Sequence, residues 1–234
     1  MSEIKKPNIF ICGSSGSGKS TCLENLNPQR TIILNTEQKQ LPFRRAGKFT
    51  KQKFIKNLDE FKLWFNRALA SPDADVIVIE SFTSLCEMIR VSARNKHSGW
   101  DAWNSQSVKG LFTGYNDEVG MILRQSKGTD KYVVFIGIDD ELSEGRVVER
   151  WIKVDGNEWK RKVEKEFLIV LFTDTAERKD DRTVNYRFIT NSDGICSAKS
   201  PKEMLPMYSP NDLSLVIKAC EEYYNVENLE EISA

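Results

Sequence analysis

Residues 8–21 read NIFICGSSGSGKST, an apolar run set directly against glycines, serines and one lysine. Gly13, Gly18, Lys19 and Ser20 complete the spacing G-x-x-x-x-G-K-S/T, a phosphate-binding loop pattern. The four fixed positions coincide by chance in on the order of 1% of chains this long, so the context has to decide. It does so here. Ile9, Phe10 and Ile11 make a strand-like run before the loop, and Leu23 and Leu26 follow at helical spacing. A flexible Gly/Ser linker would have no apolar strand abutting it. The expected work is divided along the loop. Gly13, Ser14, Ser15, Gly16, Ser17 and Gly18 turn the backbone so that its N–H groups face phosphate oxygens. Lys19 reaches the β and γ phosphates, Ser20 offers its hydroxyl to Mg²⁺, and Thr21 opens a helix whose dipole favours an anion. The ligands expected are therefore ATP and Mg²⁺.

A loop of this kind needs a parallel sheet behind it. Apolar runs of strand length recur at 8–12, 31–36, 75–80, 132–138, 167–173 and 184–190, and five of them are nearly continuous, as strands buried on both faces should be. Helical patterns lie between them, one on Leu58, Phe61, Phe65 and Leu69, another on Val108, Leu111, Phe112, Tyr115, Val119 and Ile122. Strands alternating with helices give an α/β fold, a mostly parallel central sheet flanked by helices and linked by right-handed crossovers. The last third changes character. It predicts C-terminal β additions with a strand at 146–154, a turn at Asp155-Gly156-Asn157, and a charged segment open to a helical reading. A terminal helix is expected from Ser209-Pro210, and the acidic tail from about 225 to 234 is expected to fray. The chain reads as one domain, residues 1–234.

Bulk charge excludes little and locates much. Lysine plus arginine equal aspartate plus glutamate at 34 each in 234 residues, so an anionic partner has to be met by a local patch. Residues 43–56 carry Arg44, Arg45, Lys48, Lys51, Lys53 and Lys56 interleaved with Phe43, Phe49 and Phe54, which suits either a nucleic-acid backbone or a solvated face over buried rings. Residues 146–165 are also net positive. Trp100 and Trp103 lie near Arg94, Lys96 and His97, leaving a base-stacking platform and a core role both open. The five cysteines have no C-x-x-C pairing, which fits reduced thiols in a cytoplasm and no structural zinc. No stretch approaches the roughly 20 apolar residues of a membrane span, so a membrane partner is not expected.

Nucleotide hydrolysis asks for one acid near the metal and one group to activate water, both at carboxyl ends of strands beside the loop. Glu80 ends VIVIE and Glu37 ends TIILNTE. The order GSSGSGKS, ILNTE, VIVIESFTSL and VVFIGIDDE resembles the RecA-like core of P-loop NTPases. That resemblance implies Glu37 as catalytic base, Glu80 as the Walker B metal-shell acid and Asp139 at the place that senses the γ-phosphate. The late segment FITNSDGICSAKSPKEML followed by PNDL resembles small phage-encoded ATP-binding proteins of single-strand annealing and recombination. It implies single-stranded DNA as partner, a homo-oligomer in which Lys199 reaches a neighbour's nucleotide, and the cytoplasm of a phage-infected bacterial host.

Two departures stand out. Walker B usually ends in aspartate, so the longer Glu80 predicts slow hydrolysis. Asp139, Asp140 and Glu141 stand where the sensor usually carries a hydrogen-bond donor, which leaves Asp139 as metal ligand, partner of a basic group, or neither. The leading reading is a Mg-dependent ATPase acting on DNA. A P-loop kinase for a small acceptor and a nucleotide-dependent switch with little turnover stand beside it.

Overall fold

A computed structural model describes residues 5–97, 99, 102, 114–144, 147–177 and 184–224. Its centre is an eight-stranded sheet. The strands are β1 (Ile9–Cys12), β2 (Thr31–Asn35), β3 (Gln52–Phe54), β4 (Val76–Glu80), β5 (Tyr132–Gly137), β8 (Ile169–Glu177), β9 (Val184–Ile189) and β10 (Tyr208–Pro210), in the order β10-β9-β8-β1-β5-β4-β2-β3. From β8 to β3 every neighbouring pair is parallel, whereas β9 and β10 add antiparallel at the other edge. A separate hairpin, β6 (Asp139–Glu144) with β7 (Val147–Ile152), leaves the carboxyl end of β5 directly. The α/β class with a mostly parallel sheet, the C-terminal β additions and a terminal helix are all present.

The continuous apolar runs are explained by burial on both faces. Phe10, Ile77, Ile79, Val133, Phe135 and Phe172 point to one side, where they meet helix α1 (Leu58–Leu69), α2 (Phe82–Lys96) and α3 (Tyr115–Gln125). Ile9, Ile11, Ile33, Val78, Val134 and Leu171 point to the other, against Leu23, Leu26 and helix α4 (Leu213–Tyr224). Period two sends successive residues to opposite faces, and both faces here are covered. Under the site, Phe10, Phe82, Phe135 and Phe167 pack edge to face with centroids 5.1–5.7 Å apart. Rings in this arrangement add attraction beyond their buried area. The helices start where the chain supplies a cap. Asn57 accepts from the Glu60 N–H at 2.9 Å, and Ser81 from the Ser84 N–H at 3.3 Å.

Several expectations are corrected. The segment after the phosphate loop is one 3-10 turn, Ser20–Leu23, instead of a full helix. Only seven residues separate Leu23 from β2, and Pro28 forbids helix at the residue before it. A dipole contribution from a long helix is therefore absent. The charged segment at 157–166 forms turns and a short 3-10 helix, Val163–Glu166, because Gly156 and the left-handed Arg161 (φ 58°) break the helical path. Ser209-Pro210 belongs to β10, and α4 begins at Leu213, where the Asp212 carboxylate accepts from the Ser214 N–H at 2.9 Å. Strand β3 runs inside the basic segment, unannounced by any apolar run. Val108, Leu111, Phe112, Trp100, Trp103 and the acidic tail lie outside the described residues. Among the described residues, no helix is long and apolar enough to cross a membrane.

Candidate functional site

The phosphate loop is built as the spacing demands. Gly16 and Gly18 take positive φ, 78° and 87°, conformations that side chains resist. Gly13 and Gly18 are also required by close approach. A Cβ on Gly13 would lie 1.9 Å from Thr173 Oγ1, and one on Gly18 would lie 2.4 Å from the Tyr186 ring. Thr173 and Tyr186, on β8 and β9, thus press the loop into shape, and no local pattern in the sequence announces either. Ser17 Oγ donates to the Ser14 carbonyl at 2.7 Å and is hydrogen-bonded to Thr173 Oγ1, whose hydroxyl also meets the Cys12 carbonyl at 3.2 Å. Lys19 folds back over the loop, donating to the Ser14 carbonyl at 2.6 Å. Burial holds its pKa below the ordinary lysine range, while Glu80 nearby favours the charged form.

Glu80 is buried at the end of β4, and its Oε1 accepts from Ser20 Oγ at 2.7 Å. Burial pushes its pKa up to about 7, the Ser20 bond pulls it down, and the charge of Glu37 pushes it up again. Glu80 Oε2 is buried with no hydrogen-bond partner among the described residues. A hydroxyl beside a carboxylate with one oxygen unspent fits a small hard cation, which takes one or two protein oxygens and completes its shell from phosphate and water. Ser20 and Glu80 are the residues that would hold Mg²⁺, and the ion would supply charge neutralisation on the phosphate oxygens.

Glu37 stands beside this pair because the turn that carries it is stapled. Asn35 accepts from the Gln38 N–H and donates to the Lys39 carbonyl, both at 2.7 Å, while Gln38 sits at φ 58°. Thr36 ties β2 to β4: its N–H donates to the Glu80 carbonyl at 2.6 Å, and its hydroxyl exchanges hydrogen bonds with the Ser81 main chain. The Glu80–Ser81 peptide is cis. Glu37 itself meets Lys39 at 3.3 Å. Ser20, Asn35, Glu37, Lys39 and Glu80 line one cleft of about 160 Å³. The structure therefore brings Lys19, Ser20, Glu37 and Glu80 together. Asn35 and Thr36, which position Glu37, were hidden in a strand that reads as merely apolar.

The other expected residues fall elsewhere. Asp139 faces a basic group: Arg150 donates to its Oδ2 from Nε at 2.8 Å and from Nη2 at 2.7 Å. Lys199 pairs through its main chain with Val170, about 10 Å of strand before Thr173, and burial holds its ammonium pKa below the ordinary lysine range while Glu164 and Glu166 favour the charged form. It does not join its own loop. Of the two basic segments, 147–165 has four of its six cations in ion pairs, Arg150 with Asp139, Arg161 with Glu149, Lys162 with Glu158 and Lys165 with Glu166. In 43–56, Arg44, Arg45, Lys48 and Lys56 are exposed, beside a partly exposed Phe54.

No curated protein matches the chain. Among solved structures, a KaiC-like protein from the hyperthermophilic archaeon Pyrococcus horikoshii OT3 is similar at 11% identity and a TM-score of 0.44, over 78% of this chain and 77% of that one. A family model described as AAA domain matches residues 5–201, a span that contains the loop, Glu37, Glu80 and the whole parallel part of the sheet. With the phosphate loop built and its acids in place, the chain belongs to this AAA domain family and carries a P-loop ATPase core.

Proposed function

We propose that the chain is a Mg-dependent ATPase that acts on single-stranded DNA as a homo-oligomer. One observation carries the catalytic part of this reading: Ser20, Glu80 and Glu37 line one cleft from the carboxyl ends of three strands, and Lys19 lies over the phosphate loop beside it. Lys19 exchanges the Ser14 carbonyl for phosphate oxygens, where its charge is worth more. Glu37, released from Lys39, accepts the proton of the attacking water. Glu80 stays within the buried shell and sets the charge there. The DNA part rests on the exposed cations of residues 43–48, which begin just past the Leu41 and Pro42 wall of the cleft. The trans role of Lys199 rests on its main-chain pairing with Val170, three residues along β8 from Thr173 beside the loop. ATP turnover measured with and without single-stranded DNA, with mass followed by light scattering, tests the whole. Stimulation by the strand and an ATP-dependent rise in mass are expected; a monomer indifferent to DNA would remove both partners.

A second reading has its own support. A cavity of about 660 Å³ opens from Glu37 between the start of α1 and the outer face of α2, with Lys56, Met88 and Lys96 on its walls. It has room for a phosphoryl acceptor, as a kinase would require. Phosphate from γ-labelled ATP appearing only as inorganic phosphate, with none on a candidate acceptor, separates the ATPase from the kinase.

A further inference from the structure

A cleft of about 360 Å³ lies apart from the phosphate loop, between strand β3 and the second half of helix α1. Ile32, Trp64 and Ala68 give it apolar walls, and Lys51, Lys53 and Arg67 stand beside them. Gln52 opens β3 and pairs with Ile33 of β2, whereas Glu37 and Glu80 stand at the carboxyl ends of β2 and β4. The cleft therefore belongs to the amino end of the sheet, away from the ATP site.

The charge on its walls is one-sided, three cations and no carboxylate. Lys53 Nζ meets Glu60 at 3.8 Å and Lys51 Nζ donates to the Asp73 carbonyl at 3.1 Å, while Arg67 enters no ion pair among the described residues. Like charges gathered on one small concavity repel each other unless an anion answers them. The aromatic wall points the same way. Trp64 rests half-buried against the core, and the groups over its ring are Lys53 Nζ at 4.7 Å and Arg67 Cζ at 4.9 Å from the centroid. A cation over a partly solvated ring is held weakly, and a phosphate oxygen holds it better. A base entering the cleft thus finds a stacking face, and its phosphates find the cations it displaces. The approach is basic as well, since no acidic residue interrupts 38–58. Leu41 and Pro42 line the ATP cleft and Lys51 lines this one; between them Phe43 and the buried Phe49 meet edge to face at 5.6 Å. Those rings hold the segment down and leave Arg44, Arg45 and Lys48 exposed along it.

We propose that the Trp64 cleft is a binding site for single-stranded DNA, in which one base stacks on Trp64 and the flanking phosphates are taken by Lys51, Lys53 and Arg67. The strand continues along Lys48, Arg45 and Arg44 toward the ATP cleft. The inference rests on the DNA reading above and gives it an address. A base reaches the ring only when it is unpaired, so the cleft favours a single strand over a duplex, and a stacked ring is accepted whatever its edge pattern.

The test is the anisotropy of a fluorescein-labelled oligothymidylate over a salt series, with the full chain as wild type, Trp64→Leu, Trp64→Phe and Arg67→Ala, each checked by thermal melting. Trp64→Leu should weaken binding by about tenfold at an unchanged salt slope, because stacking releases no counterion, and Trp64→Phe should stay within about threefold of wild type. Arg67→Ala should lower the slope by about 1. Wild-type affinity in Trp64→Leu overturns the proposal. Should Trp64→Leu melt early, tryptophan emission decides: the strand should quench the wild type more than Trp64→Phe, and equal quenching overturns the proposal. Loss of the strand on changing Arg44, Arg45 and Lys48 to alanine, with full binding by Trp64→Leu, removes the cleft and spares the DNA reading; a wild type that binds no strand at low salt removes both. Thymidine monophosphate displacing the oligonucleotide at equal nucleotide concentration would make the cleft a site for a free nucleotide and overturn the assignment to a strand.

Discussion

Glu37 and Glu80 are both carboxylates at strand ends, but their surroundings differ. Glu37 is partly open and held in an ion pair with Lys39, whereas Glu80 is buried against Ser20. Glu37→Gln should keep ATP affinity and lose turnover by at least about 100-fold, since the amide retains the shape but takes no proton. Equilibrium nucleotide binding alongside phosphate release checks it. Asn35→Ala, which removes both staples of the turn, should lower turnover by about tenfold through misplacement of Glu37, with nucleotide affinity little changed. Glu80 gives a pH signature in the metal-free, nucleotide-free chain. Its folded pKa, about 7, lies above the ordinary 4.5, so between those values the folded state keeps a proton that the unfolded state has released. Stability therefore falls as pH rises through this window, by about 3 kcal/mol in all, and is lowest above pH 7. Thermal melting in a chelator from pH 5 to 8 should show this fall, and Glu80→Gln should flatten it.

At the scale of elements, the strands were legible because burial on both faces leaves a nearly continuous apolar run, and β1, β2, β4, β5 and β8 all carry one. The phosphate loop was legible because glycine, lysine and serine spacing encodes backbone geometry directly. Strand β3 was not, since an edge strand of three residues, Gln-Lys-Phe, pairs on one side only and needs no apolar pattern. Nor was the Asp139–Arg150 contact, which depends on hairpin register: Asp139 pairs with Ile152 and Glu141 with Arg150, a juxtaposition that no local signal fixes. Thr173 and Tyr186 belong to the same class, being close to the loop only after the sheet is assembled. Gly137 ends β5 against the aromatic cluster, where a Cβ would lie 2.7 Å from the Phe10 ring. Gly137→Ala should cost about 1–3 kcal/mol by forcing that ring to move, read as a shift in denaturant midpoint at unchanged slope.

Over the whole molecule the formal charge is zero, so any attraction for a polyanion comes from where the cations stand. Most cations of 147–165 are ion-paired, whereas Arg44, Arg45 and Lys48 are exposed and enter no ion pair among the described residues. Changing all three to alanine should weaken single-strand binding and reduce the slope of log affinity against log salt by about 2, which fluorescence anisotropy over a salt series reads directly. A neighbour completing the site through Lys199 would make turnover rise more steeply than protein concentration, and Lys199→Ala should abolish that rise while sparing ATP affinity. Beneath these lies the claim that the loop at residues 13–21 holds the triphosphate. Titration calorimetry of ATP with Mg²⁺ into the wild-type chain and Lys19→Ala tests it most directly. Saturable one-site binding to the wild type, weakened by at least about tenfold in a Lys19→Ala variant of unchanged melting temperature, is the predicted result. Equal affinity in the two proteins would contradict it.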